Sequence, residues 1–372
     1  MKIVGIITEY NPFHNGHKRQ IEAVRRHFDE EVAVVTLMSG NFVQRGDFAL
    51  LPKEYRAMMA VKGGADLVLE LPYPYSGACA EVFARAGVSI LSDLGAEYLV
   101  FGSESGDIAY LDRTVKNLAD PTFEKALAER AQREANRAYA SLRDEVYEEL
   151  FSCLPPRKPN DILGVAYLAA IEKLGSKMQA LVVKREGFET ATASRASAHA
   201  QDDELLGKLV PQDSYELLHN NKLVSMKTVE KAILAFFRLA EPSDFDGIAD
   251  LPIGLVQRLI TLSKKCNTLE ELLESAATKV YTNARIRRCL LSCFLGVTEE
   301  MLAEKPAFTR LLGVNERGRA ILNATDFPVL ARAGQYRSFD ETLQKQVLFA
   351  ERADSIYALA DENPPLNKPF VV

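Results

Sequence analysis

No apolar run in this 372-residue chain approaches the ~20 residues of a membrane-crossing helix, so none is expected. The opening Met1-Lys2-Ile3-Val4-Gly5-Ile6-Ile7-Thr8-Glu9 reaches an acidic side chain and then Asn11-Pro12 too early for the apolar core of a secretory signal, and a cytoplasmic protein is expected. Cysteine is sparse: Cys79, Cys153, Cys266, Cys289 and Cys293 are scattered and form no CxxC pair. That odd set excludes a disulfide framework and a thiolate zinc site, leaving the cysteines as small buried apolar residues. Positive charge is not in excess either, with 45 Lys and Arg against 51 Asp and Glu and a formal net charge of -6. A generic polyanion binder is excluded, and any contact with nucleic acid must be local. Internal repeats and low-complexity tracts are also lacking.

What is present is a hydrophobic content of 47% with 26% charged residues, enough for sizeable cores, in a chain long enough for two domains. Short runs rich in Val, Ile and Leu recur at 2–7, 31–38, 66–71, 97–101 and 178–184, separated by segments that hold helices. They predict a doubly wound five-stranded parallel sheet in an α/β domain, with ligands outside the carboxyl ends of its strands. The long connection 103–177 contains a polar helical stretch at 123–147, read as a solvated helical hairpin. Beyond about residue 205 helical periodicity takes over, as in 228–240 and 268–276, so a mainly α C-terminal domain is expected.

After the first strand comes Glu9-Tyr10-Asn11-Pro12-Phe13-His14-Asn15-Gly16-His17, followed by a helix-compatible segment. Pro12 makes an extended entry. Gly16 lets the backbone approach a bound group where a helix start offers free N–H donors to phosphate. His14 and His17, two of five histidines in the chain, can donate a hydrogen bond to a phosphoryl oxygen or, protonated, place charge against attack at an α-phosphate.

An HxGH segment in this position resembles the nucleotidyltransferase superfamily that includes class I aminoacyl-tRNA synthetases and adenylyltransferases. Further segments tighten the likeness: 38–46 (MSGNFVQRG), 64–72 (GADLVLELP), 101–104 (FGSE), 158–164 (KPNDILG), 278–288 (TKVYTNARIRR) and 308–313 (FTRLLG). Together they resemble the bacterial tRNA(Met) cytidine acetate ligase family over nearly the whole chain, the last two looking like its helical half. The resemblance implies a nucleotidyltransferase-like Rossmann domain of the HUP type at 1–205, with a helical insertion at about 106–150, and a tRNA-binding helical domain at 206–372. It also implies a reaction. Acetate attacks the α-phosphate of ATP to give acetyl-adenylate, and the N4 amine of the wobble cytidine of elongator tRNA(Met) takes the acetyl group. Mg²⁺ is expected with the triphosphate, without a protein metal cage.

Carried onto this sequence, the resemblance assigns ATP contacts to Ile7, Thr8, Glu9, Tyr10, Asn11, Pro12, Phe13, His14, Asn15, Gly16, His17, Lys18, Arg19 and Gln20, and to Gly102, Asn160 and Arg185. Each of the last three also has a plainer reading, as a turn, an N-cap and a surface charge. The family's Ser-Ala-Thr-Ala-Ile-Arg-like segment is altered here to Thr190-Ala191-Thr192-Ala193-Ser194-Arg195, where Thr190 and Arg195 can still donate to phosphate. Gln44 and Arg45 follow the second strand, and Arg45 suits the acetate carboxylate, a phosphate or the tRNA backbone. Asp66 and Glu70 suit either capping and pairing or a substrate or magnesium contact. Lys279, Arg285, Arg287 and Arg288, with Tyr281, form the candidate RNA cluster. Two rival readings are a nucleotidyltransferase acting on a small phosphorylated metabolite and a non-catalytic RNA-binding relative.

Overall fold

The computed structural model describes residues 1–134, 137, 139–185, 187, 189–278, 281–366 and 368–372. The five apolar runs form β1 (Lys2–Thr8), β2 (Val32–Ser39), β5 (Leu67–Leu71), β6 (Tyr98–Ser103) and β7 (Gln179–Lys184), each within two residues of expectation. A short hairpin, β3 (Phe42–Val43) and β4 (Asp47–Phe48), interrupts the series. The five pair in parallel in the order β5-β2-β1-β6-β7. The chain therefore winds outward from β1 in both directions, and its switch point lies between β1 and β6. All eight residues of β2 are buried, as a strand covered by helices on both faces must be.

Helices α1 (Asn15–His27), α2 (Lys53–Lys62) and α3 (Ala80–Asp93) make the first crossovers, and helix Pro159–Lys173 leads into β7. The connection between β6 and β7 holds the helices Pro121–Arg133 and Tyr139–Phe151, which pack around Phe123, Leu127, Leu142 and Tyr147 as the expected hairpin.

The second half is mainly α, with one correction to the sequence reading: strands do not end near residue 205. Thr309–Val314 is β8, antiparallel to β5, with Leu67 opposite Val314 and Val68 opposite Gly313. The pairs Val329–Leu330 (β9) and Phe370–Val371 (β10) lie parallel to β8. The segment 308–313, expected in the helical half, thus extends the sheet of the first. The edge of β5 supplies the hydrogen-bonding partners that make this segment a strand.

Asp66 and Glu70 are structural in this arrangement. Asp66, fully buried, accepts from Val34 N (2.7 Å), Arg25 (2.8 Å) and Asn315 (2.8 Å). Glu70 accepts twice from the buried Lys53 (2.8 and 3.0 Å), whose ammonium also reaches Asp354 at 2.6 Å. This network joins α2 to helix Glu341–Ala358. All five cysteines are free, and Cys266, Cys289 and Cys293 are buried. Among the described residues no helix is long and apolar enough to cross a membrane.

Candidate active site

His14 is the N-cap of α1, with extended backbone and its Nδ1 accepting from Gly16 N at 3.0 Å. His17 Nδ1 in turn accepts from His14 N at 3.2 Å, completing a capping box made of two imidazoles. The rings stack with centroids 3.7 Å apart. Because each Nδ1 is an acceptor, each neutral ring carries its proton on Nε2. His14 is 1% exposed, yet its Nε2 has no hydrogen-bond partner among the described residues. A buried donor left without an acceptor is costly and marks where a ligand atom belongs.

The charge state follows from the surroundings. Burial and the neighbouring Arg185 push His14 down to about 3, against a smaller opposing pull from Glu189. His17, packed against Tyr10 and Phe13, is also held well below its ordinary value, by burial and then by His14 and Arg185. Both rings are neutral donors at neutral pH, so of the two roles open from sequence the hydrogen-bonding one fits.

This gives a pH prediction. Between about 6.5 and about 3 the unfolded chain holds the His14 proton and the folded chain does not, so stability falls as pH drops through that window. At pH 5 the loss from His14 alone is about 2 kcal/mol. Urea midpoints measured from pH 8 to pH 5 are expected to flatten in His14→Asn, which keeps a capping side chain but cannot titrate. An unchanged slope would contradict the assignment.

The glycines explain how the loop closes around this pair. A Cβ on Gly16 would lie 2.8 Å from the His14 ring and 3.4 Å from the Glu189 carbonyl, so only glycine lets the ring fold back as a cap. On β6, a Cβ on Gly102 would meet the Arg185 side chain at 3.2 Å. The exposed arginine after β7 therefore lies across the end of β6, beside the histidines it perturbs. Asn160 starts helix Pro159–Lys173, and its Nδ2 donates to Glu104 at 2.6 Å; Glu104 also accepts from the backbone N of Asn160 and Asp161, both at 3.1 Å. Glu104 is thus the cap and Asn160 keeps its amide oxygen for a partner.

The rest of the 7–20 stretch divides between framework and surface. Ile7 and Phe13 are core residues, and Tyr10 is buried at φ +43°. Thr8 and Glu9 are half-buried at the end of β1, and Pro12 is buried. Asn11 accepts from Leu50 N (2.7 Å) through its side chain and from Arg195 (2.7 Å) through its carbonyl. Asn15 donates to the Lys208 carbonyl at 3.0 Å. Lys18 is exposed, Gln20 half-buried, and Arg19 pairs with Glu189 at 2.7 and 2.8 Å. Thr190 caps helix Ala191–Ala200 by accepting from Ala193 N, leaving its hydroxyl hydrogen to donate.

The hairpin ties this site to the second half of the chain. Gln44 N donates to Glu9 at 2.8 Å, and a Cβ on Gly46 would lie 2.4 Å from the backbone N of Arg288. The basic run Arg285, Arg287 and Arg288 therefore sits against the hairpin, but it is largely neutralised. Arg287 pairs with Asp47 at 2.8 Å, while Arg285 and Arg288 approach Asp250 at 3.0 and 3.9 Å. Tyr281 is half-buried against the helical core, and Lys279 lies outside the described residues. Arg45 is exposed and makes no ion pair among the described residues.

One element of the site escaped the sequence reading. Arg56, 0% exposed, donates to the carbonyls of Leu51 (2.9 Å), Glu9 (2.6 Å), Ser39 (3.0 Å) and Gly40. It clasps the carboxyl ends of β1 and β2 beneath the histidine loop. Its signal was its place on α2, three and four residues from the apolar Met59 and Ala60. A cavity of about 600 Å³ lies at the amino ends of β6 and β7, lined by Ser92, Glu97, Tyr98, Gln179 and Lys305, and shares no residue with this site.

Residues 1–368 match the family model described as HIGH Nucleotidyl Transferase. A tRNA(Met) cytidine acetate ligase of Syntrophotalea carbinolica is 35% identical over 87% of this chain and 82% of its own length. One from Acetivibrio thermocellus is 30% identical over 99% of this chain and 97% of its own. Thermotoga maritima TmcAL, in a crystal structure bound with alpha-thio ATP, superposes with a TM-score of 0.91 at 29% identity and covers 100% of both chains. The chain belongs to the HIGH nucleotidyl transferase family, among its tRNA(Met) cytidine acetate ligases.

Proposed function

We propose that this chain activates acetate with ATP and acetylates N4 of the wobble cytidine of elongator tRNA(Met). The observation that carries the chemistry is the orphaned, buried His14 Nε2 donor, set at a helix N-terminus beside Arg185 and Gly102 at the switch point of the sheet. In this reading His14 and His17 donate to oxygens of the phosphate under attack. Arg185 and the N-terminus of helix Ala191–Ala200 take the remaining phosphates, and Asn160 meets the adenosine. Preorganised donors of this kind act most strongly on charge that grows in the transition state. Among the described residues no group of three or more His, Cys, Asp or Glu could hold a metal ion. Mg²⁺ would come in on the triphosphate oxygens and neutralise the departing pyrophosphate.

The two halves divide the work, residues 1–205 making the adenylate and 206–372 presenting the tRNA. The test is incubation with ATP, Mg²⁺, acetate and tRNA transcripts, followed by digestion and mass analysis. N4-acetylcytidine confined to elongator tRNA(Met) is expected. Pyrophosphate release that ignores tRNA and acetate would return the chain to the small-metabolite reading, and tRNA binding without turnover to the RNA-binding one.

Arg45 is the RNA-facing cation in this reading, because the arginines of 285–288 already have acidic partners. Arg45→Ala is expected to lower the slope of log affinity against log salt by about one. Arg288→Ala, by contrast, is expected to leave it unchanged. Equal slopes for wild type and Arg45→Ala in filter-binding titrations would remove Arg45 from the interface.

A further inference from the structure

Glu9 stands at the end of β1, half-buried, with one carboxylate oxygen held by the Gln44 N–H at 2.8 Å. It forms no ion pair among the described residues, so the second oxygen is uncommitted. The side chains around it divide the site in two. His14, His17, Arg185 and Arg19 gather on the side suited to phosphate. Glu9, Gln44, Arg45, Asp47 and Arg287 gather on the side of the hairpin. Arg195 lies beside the loop that joins Glu9 to His14, donating to the Asn11 carbonyl at 2.7 Å.

A carboxylate at this boundary repels acetate and phosphate and attracts an N–H donor. Cytosine offers such a donor at N4, and acidic side chains are the usual acceptors for it. The hairpin that grips Glu9 is also the one that carries the exposed Arg45 and presses on the backbone of Arg287 and Arg288. Glu9 therefore connects the RNA-facing elements with the histidine loop five residues further along its own strand exit.

We propose that the Glu9 carboxylate is the catalytic base for acetyl transfer, holding the N4 amine of the target cytidine and receiving its proton. This rests on the reaction proposed above. In the step, the N4 lone pair forms a bond to the acetyl carbonyl carbon. The bond from that carbon to the bridging phosphate oxygen breaks, and AMP leaves with its electron pair. The N4 proton passes to the free oxygen of Glu9, which returns it to solvent.

The experiment uses the full chain and separates the two half-reactions. Acetate-dependent pyrophosphate release is measured without tRNA, and transfer is measured in single turnovers from synthetic acetyl-adenylate to an elongator tRNA(Met) transcript. Glu9→Gln keeps an oxygen to accept from Gln44 N, so the hairpin stays in place. Its transfer rate is expected to fall at least about a hundredfold, at least about tenfold more than any fall in its pyrophosphate release. Glu9→Asp, which keeps the carboxylate, is expected to recover about tenfold of the lost transfer. Parallel loss of both half-reactions in Glu9→Gln would overturn the proposal and place Glu9 with ATP or its metal. Wild-type transfer in Glu9→Gln would overturn it equally. A wild-type protein that forms no N4-acetylcytidine would overturn the reaction itself, a failure seen before any variant is made.

Discussion

His14→Ala is expected to lower acetate-dependent pyrophosphate release at least about a hundredfold, the usual loss when one preorganised donor to a developing oxyanion is removed. The same substitution strips the N-cap of α1, which by itself costs about 1 kcal/mol. The two effects are separable because His14 performs them with different atoms, Nδ1 capping Gly16 and Nε2 left for the ligand. Asparagine can restore the cap but sets its amide too far back to reach the Nε2 position. His14→Asn is therefore expected to melt like wild type and turn over like alanine. His17→Ala removes the second half of the capping box and the ring on which His14 stacks, and a loss of similar size is expected. Wild-type pyrophosphate release in both alanine variants would remove the imidazoles from the mechanism and leave them as caps.

The parallel sheet and the histidine loop were legible because their signals are local. A strand such as β2, apolar along its whole length, and an HxGH segment at a strand-to-helix turn need no distant partner to be recognised. β8 was not legible, since its six residues become a strand only against the edge of β5, some 240 residues earlier in the chain. The basic run 285–288 illustrates the same limit in charge. Its arginines read as free cations because Asp250 and Asp47, which neutralise them, arrive through the fold. Asp66 stayed undecided between a ligand and a strut for that reason, with partners at Arg25, Val34 and Asn315. Thr190 came to notice only through the family resemblance, as a phosphate donor; that it also caps helix Ala191–Ala200 follows from the fold.

Arg56→Met is expected to destabilise the fold by at least about 3 kcal/mol, the scale on which buried charged groups cost when their partners are left behind. Among the described residues the guanidinium has no carboxylate partner; burial pushes it below its ordinary value, and four carbonyl oxygens compensate it. Methionine fills the volume but leaves those carbonyls buried without donors, at about 1–3 kcal/mol each where water cannot enter. Lysine is no remedy, because one ammonium cannot span acceptors that the planar fork reaches together. The positions of the acceptors turn this into a statement about the site. Ser39 and Gly40 close β2, and the Glu9 carbonyl lies five residues before His14, so the clasp sets where the histidine loop leaves the sheet. Positioning losses at this level are expected to lower pyrophosphate release more than tenfold even at a temperature where Arg56→Met remains folded. Urea unfolding and turnover on the same preparation would test both halves. A variant within about 1 kcal/mol of wild type with full turnover would mean that water satisfies the four carbonyls, and that the loop is held by α1 and the Asn11 contacts alone.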